Sequence, residues 1–369
     1  MISVVVTARP SYAKLQPLIT ELMWREEIEI VACASALLTR YGAVVDQIRQ
    51  DCPGPSLVTI PSTLEGASLD TAAKDTGVLL ASLADHFAQV RPRLVVVMAD
   101  RYETLAVSMA AAYQNIPVAH LQGGERSGGI DDRVRDANTQ LATYHFPSTA
   151  RAAIRLLGLT NGSKHIYNYG CPSIDLARAA VNDPPVTLQE LGGVGSAIDL
   201  NRPFLLLLQH PNSEDPTCAY AEMWDTLSAC CVIPQPLLAL WPGHGAGAEA
   251  AAKALRVFAL THPSYPLHLV RTIPPRRFMR LLRQTSCLVG NSSAGIRECS
   301  YLGTPIVNIG LRQQHRDRAK NVVNVQTETT LIREAVFQQS QHPFFASSSL
   351  YGDGTAAPRI AVKLVELSV

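Results

Sequence analysis

The chain has 369 residues, of which 47% are hydrophobic and 17% are charged, and its formal net charge is +1. This length suits two globular domains, and the composition excludes a disordered or fibrous protein. The near-neutral charge argues against a broad basic surface for nucleic acid or anionic membrane, although a local arginine pocket for phosphate is compatible with it.

The sequence carries no sign of membrane insertion or secretion. No stretch approaches the roughly 18 to 20 apolar residues of a membrane span, and the first residues, MISVVVTARPSYAKL, lack a basic leader. The eight cysteines are scattered without a CxxC pair, which is typical of reduced core thiols rather than zinc ligands or disulfides. We therefore expect a cytoplasmic protein with no nucleic-acid and no membrane partner.

Short apolar runs alternate with longer stretches of helical character along both halves of the chain. In the first half the predicted strands cover residues 2–7, 28–34, 94–99 and 117–121, and the predicted helices cover 14–25, 70–89, 102–114 and 132–143. In the second half the predicted strands cover 204–209, 237–241, 267–270, 287–290 and 305–309, and the predicted helices cover 222–231, 246–260, 275–284 and 294–302. This alternation predicts an α/β protein with doubly wound parallel sheets.

Proline, glycine and asparagine interrupt the segment 176–202, so we place a hinge there. We predict an N-terminal Rossmann-like domain over residues 1–178 and a C-terminal Rossmann-like domain over 179–350. A tail at 351–369 should contain a final helix over 356–367, where apolar residues recur at helical spacing.

Acidic residues follow two of the predicted strands in the first half. Ligands of doubly wound sheets bind beyond the carboxyl ends of the strands. Asp100 follows one strand, and Glu125 and Asp131 follow the next. Carboxylates that lie close together can have their pKa values driven apart, which supplies an acid and a base. The alternative is that Asp100 and Asp132 merely cap helices.

Arg9 follows the first predicted strand, where a guanidinium and a helix N-terminus could bind phosphate together. A surface arginine at a helix start is the alternative. In the second half, His210 follows a predicted strand and is either a phosphate donor or a structural histidine. Arg312, with Arg316 and Arg318, lies either in a phosphate-facing loop or on a solvated basic face.

The segment GNSSAGIRE, residues 290–298, follows a predicted strand and opens a predicted helix. The backbone amides there, with the hydroxyls of Ser292 and Ser293, would form an anion site. Glu298 lies about one turn into the helix, within reach of a ribose diol. A plain helix N-cap by one of the serines is the alternative.

Together these motifs resemble the hydrolysing UDP-N-acetylglucosamine 2-epimerases of sialic acid and related pathways. The resemblance covers roughly residues 2–325 and rests on the segments ADRYETLA, LQGGERSGGIDD, GCPSID, LLQHP, WPGHGAGAE, GNSSAGIRE and TPIVNIGLRQ. It implies a glycosyltransferase-B fold, in which two Rossmann-like domains face a cleft that holds a UDP-sugar. The implied reaction eliminates UDP to a glycal and rehydrates it with inversion at C2, which yields N-acetylmannosamine. The resemblance implies no metal and no nicotinamide cofactor, and we expect a homo-oligomer.

The resemblance also assigns roles to individual residues. The family's catalytic carboxylates fall on Asp100, Glu125 and Asp131. Its substrate contacts fall on the following positions: Arg9, Arg101, His210, Ser292, Ser293 and Glu298 for the nucleotide, and Asp175 of GCPSID for the sugar. We add Arg312 and Asp136 to the expected substrate-binding residues.

The chain departs from the usual family pattern in the helix after Asp131 and in the segment WPGHGAG. Asp136 stands at a usual histidine and Gln140 at a usual lysine, and Gly243 and Gly245 replace a usual asparagine and aspartate. An ionised aspartate cannot donate a hydrogen bond, whereas an imidazole can. Asp136 is therefore expected to contact a sugar that carries a donor, or else to turn toward a neighbouring arginine or solvent.

Two other functions remain open at this point. A related enzyme could cleave or transfer a modified nucleotide-sugar without inverting C2, and a non-catalytic protein could sense a nucleotide-sugar. All three acidic positions are retained, which argues against a sensor because binding alone does not require them.

Overall fold

The computed structural model describes residues 1–42, 44–64, 66–212 and 214–368. The chain forms two compact units. Unit 1 comprises Met1–Arg126, Ile130–Leu176 and the chain from Tyr351 onward, and unit 2 comprises Ser127–Gly129 and Ala177–Leu350. The described residues of the predicted tail thus belong to unit 1, and Val369, the last residue of the predicted tail segment, lies outside the described residues.

Unit 1 is built on a parallel sheet with the strand order β3-β2-β1-β4-β5-β6 among its described residues. Its strands are β1 (Ile2–Val6), β2 (Ile28–Cys33), β3 (Ser56–Ile60), β4 (Leu94–Met98), β5 (Val118–Leu121) and β6 (Tyr144–Phe146). Its helices before the unit boundary are α1 (Arg9–Leu22), α2 (Val44–Asp51), α3 (Leu69–Val90), α4 (Tyr102–Ala112), α5 (Ile130–Leu141) and α6 (Ala150–Leu159).

The central strands of unit 1 form because continuous apolar runs are buried on both faces, as parallel sheets require. The edge strands β3 and β6 were not predicted from the sequence. Strand β3 is half-exposed and mixes serine and threonine with its apolar residues, and β6 has only three residues, so neither shows a continuous apolar run. Helix α7 (Pro172–Ala180) follows and contains the boundary between the two units.

Unit 2 has a second sheet with the order β13-β12-β11-β8-β9-β10-β7 among its described residues, and β7 alone of these pairs antiparallel. Its strands are β7 (Val194–Gly195), β8 (Leu205–Leu208), β9 (Leu237–Leu240), β10 (Leu267–Val270), β11 (Cys287–Gly290), β12 (Ile306–Ile309) and β13 (Val322–Val325). Its helices are α8 (Leu188–Leu191), α9 (Ala219–Cys230), α10 (Ala248–Thr261), α11 (Pro275–Leu282), α12 (Ser293–Ile296), α13 (Glu298–Leu302) and α14 (Thr329–Gln341).

The last helix, α15 (Ala356–Leu367), coincides with the helix predicted over 356–367. Its apolar face, which includes Ile360 and Leu364, is buried in the same hydrophobic core as β1, β2 and α1. The two sheets, parallel except at β7, and the helices between most successive strands confirm the predicted α/β class. None of the helices described here is long and apolar enough to cross a membrane.

Candidate active site

Asp100 lies at the carboxyl end of β4, in the middle of the sheet of unit 1. Strand β4 ends at Met98, and Ala99 adopts a left-handed conformation with φ 68°, which turns the chain sharply. Helix α4 begins only at Tyr102, and its N-cap position is occupied by Arg101. Asp100 is therefore not the N-cap of that helix, and its carboxylate is available to other partners.

The partner of Asp100 is Arg135, which lies on α5 and is completely buried. Arg135 Nη2 donates a hydrogen bond to Asp100 Oδ2, and Nη1 donates to Asp132 Oδ1 at 2.6 Å and to the backbone carbonyl of Glu125 at 2.7 Å. Burial alone would lower the pKa of Arg135, but the charges of Asp100, Glu125 and Asp132 outweigh it and raise that pKa. One guanidinium thus gathers groups from the ends of β4 and β5 and from the start of α5.

Glu125 is buried in the loop that follows β5. Gly124, directly before it, has φ 79°, and a Cβ there would lie 2.3 Å from the carbonyl oxygen of Ala152 on α6. Only glycine fits this close approach, so Gly124 determines the path by which the chain reaches Glu125. Asp131, the third predicted carboxylate, lies in the first turn of α5, one turn before Arg135.

Arg101 is held by its neighbour Glu103 in the first turn of α4. Arg101 Nη2 and Nε donate to the two carboxylate oxygens of Glu103 at 2.7 and 3.0 Å. Burial alone would lower the pKa of Arg101, but the charge of Glu103 outweighs burial and raises that pKa above its ordinary value. The other arginine predicted in unit 1, Arg9, is the first residue of α1, and burial lowers its pKa.

Asp136 pairs with an arginine that the sequence analysis did not consider. Arg155 on α6 donates to both carboxylate oxygens of Asp136, each at 2.6 Å. This hydrogen-bonded pair raises the pKa of Arg155. Gln140, one turn further along α5, donates to the carbonyl of Leu159 at the end of α6. Asp136 and Gln140, the two departures from the family pattern on α5, therefore both connect α5 to α6.

Asp175 receives two backbone hydrogen bonds from the first turn of α15. The amides of Ala356 and Ala357 donate to its two oxygens at 3.1 and 2.8 Å. Burial raises the pKa of Asp175 to about 6, although these amide hydrogen bonds act in the opposite direction. Asp175 thus caps α15, and its contact with a sugar stays a prediction.

In unit 2, the residues predicted to bind the nucleotide follow the adjacent strands β8 and β11. The backbone amide of His210 donates to Asn291 Oδ1, and Asn291 Nδ2 donates to the carbonyl of His210, both at 2.8 Å. Ser292 is the N-cap of α12, and its hydroxyl accepts from the amide of Ala294 at 3.3 Å. The capping role considered as the alternative is thus present, and Ser293 is the first residue of the helix.

The loop after β12 joins the same edge. Arg312 Nη1 and Gln313 Nε2 both donate to the carbonyl of Asn291 at 3.1 Å. Glu298, at the start of α13, is 3% exposed, and its Oε2 has no hydrogen-bond partner among the described residues. A buried acceptor without a donor is costly, and a ligand hydroxyl would supply that donor.

The predicted helix over 294–302 is in fact two short helices, α12 and α13, which meet at Arg297. Gly295 in α12 packs so closely on β12 that an added Cβ would lie 1.6 Å from Ile306 Cδ1. The sequence did not indicate the tight packing at Gly295, because a glycine inside a helical pattern indicates only lower helix stability at that position.

Comparison with known proteins agrees with this arrangement. Residues 22–365 match the sequence pattern of the family described as UDP-N-acetylglucosamine 2-epimerase. The chain belongs to this family.

A curated relative from Legionella pneumophila, UDP-N,N'-diacetylbacillosamine 2-epimerase (hydrolyzing), is 28% identical over 96% of this chain and 93% of its own. The crystal structure of a Neisseria meningitidis UDP-GlcNAc 2-epimerase bound to UDP-GlcNAc superposes with a TM-score of 0.80 at 19% identity, covering 99% of this chain and 100% of that one. A Methanocaldococcus jannaschii UDP-GlcNAc 2-epimerase in complex with UDP-GlcNAc and UDP gives 0.81 at 16% identity, with coverage of 99% and 100%. These similarities confirm the predicted glycosyltransferase-B fold.

Three residues that organise the site were not singled out from the sequence of this family member: Arg135, Arg155 and Asn291. Arg135 lies three and four residues after Asp132 and Asp131, a helical spacing that allows ion pairs. That spacing is equally common on solvated helix faces, so only the burial of Arg135 distinguishes it. Asn291 was noted only as part of the segment 290–298.

Proposed function

We propose that this protein is a hydrolysing UDP-N-acetylglucosamine 2-epimerase that releases UDP and N-acetylmannosamine. The observation that supports this most is the cluster around Arg135, which collects Asp100 and the Glu125 loop at the carboxyl ends of adjacent strands. Asp131 lies on α5, one helical turn before Arg135. The relative from Legionella, whose name specifies hydrolysis, supports the hydrolysing subtype.

The proposed reaction needs two proton transfers at C2. In the first step a carboxylate removes the C2 proton while the C1–O bond breaks, so that UDP leaves and a glycal forms. In the second step water adds its oxygen to C1, and a proton is delivered to the opposite face of C2. Two faces require at least two ionisable groups, which Asp100, Glu125 and Asp131 would supply.

The proposed nucleotide contacts lie in unit 2. Ser292, Ser293 and Arg312 would donate hydrogen bonds to the diphosphate, and so would His210. The buried Oε2 of Glu298 would accept from a ribose hydroxyl, which would satisfy an acceptor that has no partner among the described residues. Arg9 and Arg101, which belong to unit 1, are the remaining proposed contacts of the substrate.

Proton NMR of the purified protein with UDP-N-acetylglucosamine in heavy water tests the proposal. We expect release of UDP and free N-acetylmannosamine with solvent deuterium at C2. A product that remains attached to UDP would instead identify a non-hydrolysing epimerase. UDP release with the original C2 configuration would identify a cleaving or transferring enzyme, and binding without turnover would identify a sensor.

The variant Asp100→Asn tests the role of Asp100 in the same assay, because the amide keeps the shape of the side chain and cannot take up a proton. We expect product formation to fall by about 100-fold or more, as for loss of a general acid or base. Asp46→Asn is the matched control, since Asp46 is an exposed aspartate paired with Arg49 on α2. Equal activity of Asp100→Asn and the parent would contradict the assigned role.

A second candidate substrate is a UDP-sugar with two acetamido groups. The name of the relative from Legionella specifies such a sugar. The same NMR experiment with UDP-N,N'-diacetylbacillosamine, run in competition with UDP-N-acetylglucosamine, ranks the two by kcat/KM. Preference for the diacetamido sugar would replace the sugar in the proposal while retaining its chemistry. We also expect a homo-oligomer, which sedimentation velocity measures.

A further inference from the structure

Arg135 is the most deeply buried cation near the candidate carboxylates. Its side chain is 0% exposed, and it donates to Asp100, Asp132 and the carbonyl of Glu125. Two of these acceptors are carboxylates, so the pair of negative charges exceeds the single positive charge. A guanidinium has a rigid planar fork of donors, which allows it to engage three acceptors in a defined geometry.

Other charged groups surround this cluster on each element that packs against it. Arg126 lies in the loop after β5, and its Nε is 3.8 Å from Asp132 Oδ2. Arg101, next to Asp100, makes two hydrogen bonds to Glu103.

A histidine of β5 also faces Asp100 and Arg135. His120 Nε2 donates a hydrogen bond to the carbonyl of Ala99 at 2.8 Å, and burial lowers the pKa of His120 to about 4. His120 is therefore neutral at physiological pH and adds no positive charge to the cluster. Arg155, on α6, is engaged by Asp136 through both of its terminal nitrogens.

We propose that Arg135 is a positioning residue of this active site, which holds Asp100 in its ionised, proton-accepting form and fixes it relative to the loop of Glu125. This inference rests on the proposed function. An ion pair with a buried guanidinium favours the charged form of a carboxylate, because little solvent screens the interaction. Asp132, three residues earlier on the same helix, orients the guanidinium and leaves Nη2 directed at Asp100.

Asp131 and Asp132 act on different cations. Asp132 forms ion pairs with Arg135 and Arg126. The charge of Asp131 adds to that of Glu103 in raising the pKa of Arg101. Asp132 thus supports the guanidinium of Arg135, whereas Asp131 stays assigned to the substrate.

Arg135→Met and Arg135→Lys separate the charge of this residue from its geometry. We expect Arg135→Met to lower kcat for UDP release by about 100-fold, with little change in KM, because the reacting carboxylate is misplaced. The acid limb of its pH profile should move up by about one pH unit or more, because Asp100 loses the cation that favours ionisation. Arg135→Lys keeps a charge, so its acid limb should stay near that of the parent while kcat still falls.

Folding is monitored separately by thermal unfolding and by calorimetric UDP affinity, which depends on unit 2 in the proposal. Arg93→Met is the matched control: Arg93 precedes β4, pairs with Glu26 and is 46% exposed, so its loss should leave kcat and the pH profile unchanged. If Arg135→Met does not fold, Arg135→Lys and Asp132→Asn provide the comparison. Asp132→Asn should reduce kcat by a smaller factor than Arg135→Lys.

A parental kcat and acid limb in Arg135→Met would overturn the inference, as would equal losses of UDP affinity and stability in both Arg135 variants. If the parent does not turn over UDP-N-acetylglucosamine, the proposed substrate has failed, and the inference is tested without turnover. Carbon-13 labelled aspartate, with Asp100 assigned by the Asp100→Asn variant, reports the ionisation of Asp100 directly. Asp100 should titrate at higher pH in Arg135→Met than in the parent, and an unchanged titration would overturn the inference.

Discussion

At the scale of single residues, the hydrogen-bond partners of the aspartates in unit 1 differ in charge. Asp100 and Asp136 each accept from a guanidinium, whereas Asp175 accepts from two backbone amides. A neutral amide pair compensates a buried carboxylate less than a cation does. Burial raises the pKa of Asp175 to about 6, and the two amide hydrogen bonds do not offset it.

The raised pKa of Asp175 predicts a pH dependence of stability. A carboxyl whose folded pKa lies above its unfolded value stabilises the fold fully below the unfolded pKa, and that contribution is lost as the pH rises through the folded pKa. We therefore expect the free energy of unfolding of Asp175→Asn, relative to that of the parent, to increase as the pH rises from about 4 to about 7. Urea unfolding at several pH values measures the difference.

Asp183→Asn is a suitable control for this experiment. A hydrogen bond from Arg276 lowers the pKa of Asp183, so its contribution disappears only at pH values below its ordinary pKa. The Asp183→Asn difference should be flat over the same range. A flat difference for Asp175→Asn as well would show that its pKa is not raised.

At the scale of elements, a close approach between two strands of unit 2 lies next to residues predicted to bind UDP. Gly290 ends β11 with φ 133°, and a Cβ there would lie 2.2 Å from the carbonyl oxygen of Leu208 on β8. We expect Gly290→Ala to destabilise the protein by about 1–3 kcal/mol, the usual cost of a strained backbone position, and to weaken UDP binding through the displaced Ser292. Calorimetry and thermal unfolding measure the two effects.

The control for Gly290→Ala is Gly158→Ala. Gly158 lies inside α6, and a Cβ there would meet nothing within 4 Å. This substitution should stabilise the protein by about 0.5–1 kcal/mol, because alanine loses less backbone entropy in a helix. If both alanine variants behaved alike, the close approach of β11 to β8 would not explain the glycine at 290.

Helix α15 supplies a second prediction at this scale. Leu364 is fully buried in the core of unit 1, whereas Val362 on the same helix is 44% exposed. Leu364→Ala should destabilise the protein by about 2–5 kcal/mol, as expected for a cavity in a packed core. Val362→Ala should change stability by less than about 0.5 kcal/mol. Equal effects in urea unfolding would mean that α15 does not belong to the core of unit 1.

At the scale of the whole molecule, each unit has its own sheet and its own hydrophobic core. The proposed nucleotide contacts His210, Ser292, Ser293, Glu298 and Arg312 all belong to unit 2. A ligand stabilises the part of the protein that binds it, by about 2.7 kcal/mol at a concentration 100 times the dissociation constant.

Hydrogen exchange with and without UDP tests this assignment. We expect the strongest protection in residues 205–212 and 287–300, which contain β8, β11 and the residues that follow them. The Ser292→Ala/Ser293→Ala double variant should lose this protection, since it removes two hydrogen bonds to a charged group worth about 1.5–3 kcal/mol each. Protection confined to unit 1 would contradict the assignment.

The local sequence pattern determined the central elements of both sheets. The strands predicted over 267–270 and 287–290 and the helix over 356–367 coincide with the observed elements, because each is a buried apolar segment with clear boundaries. The edge strands β3 and β13 were missed, since half-exposed strands are not continuously apolar. Helix α14 was missed although Ile332 and Val336 lie four residues apart, a helical spacing.

The sequence by itself also determined which residues to consider: the carboxylates after β4 and β5, and the hydroxyls and glycines after β11 were all identified from their positions behind predicted strands. Only the tertiary structure decided what these residues contact. Arg135 becomes the centre of the site because α5 brings it within hydrogen-bond distance of groups that follow two different strands, and Asp136 finds Arg155 on α6. Such pairings join residues far apart in the chain, whereas hydrophobic periodicity reports only which face of one element is buried.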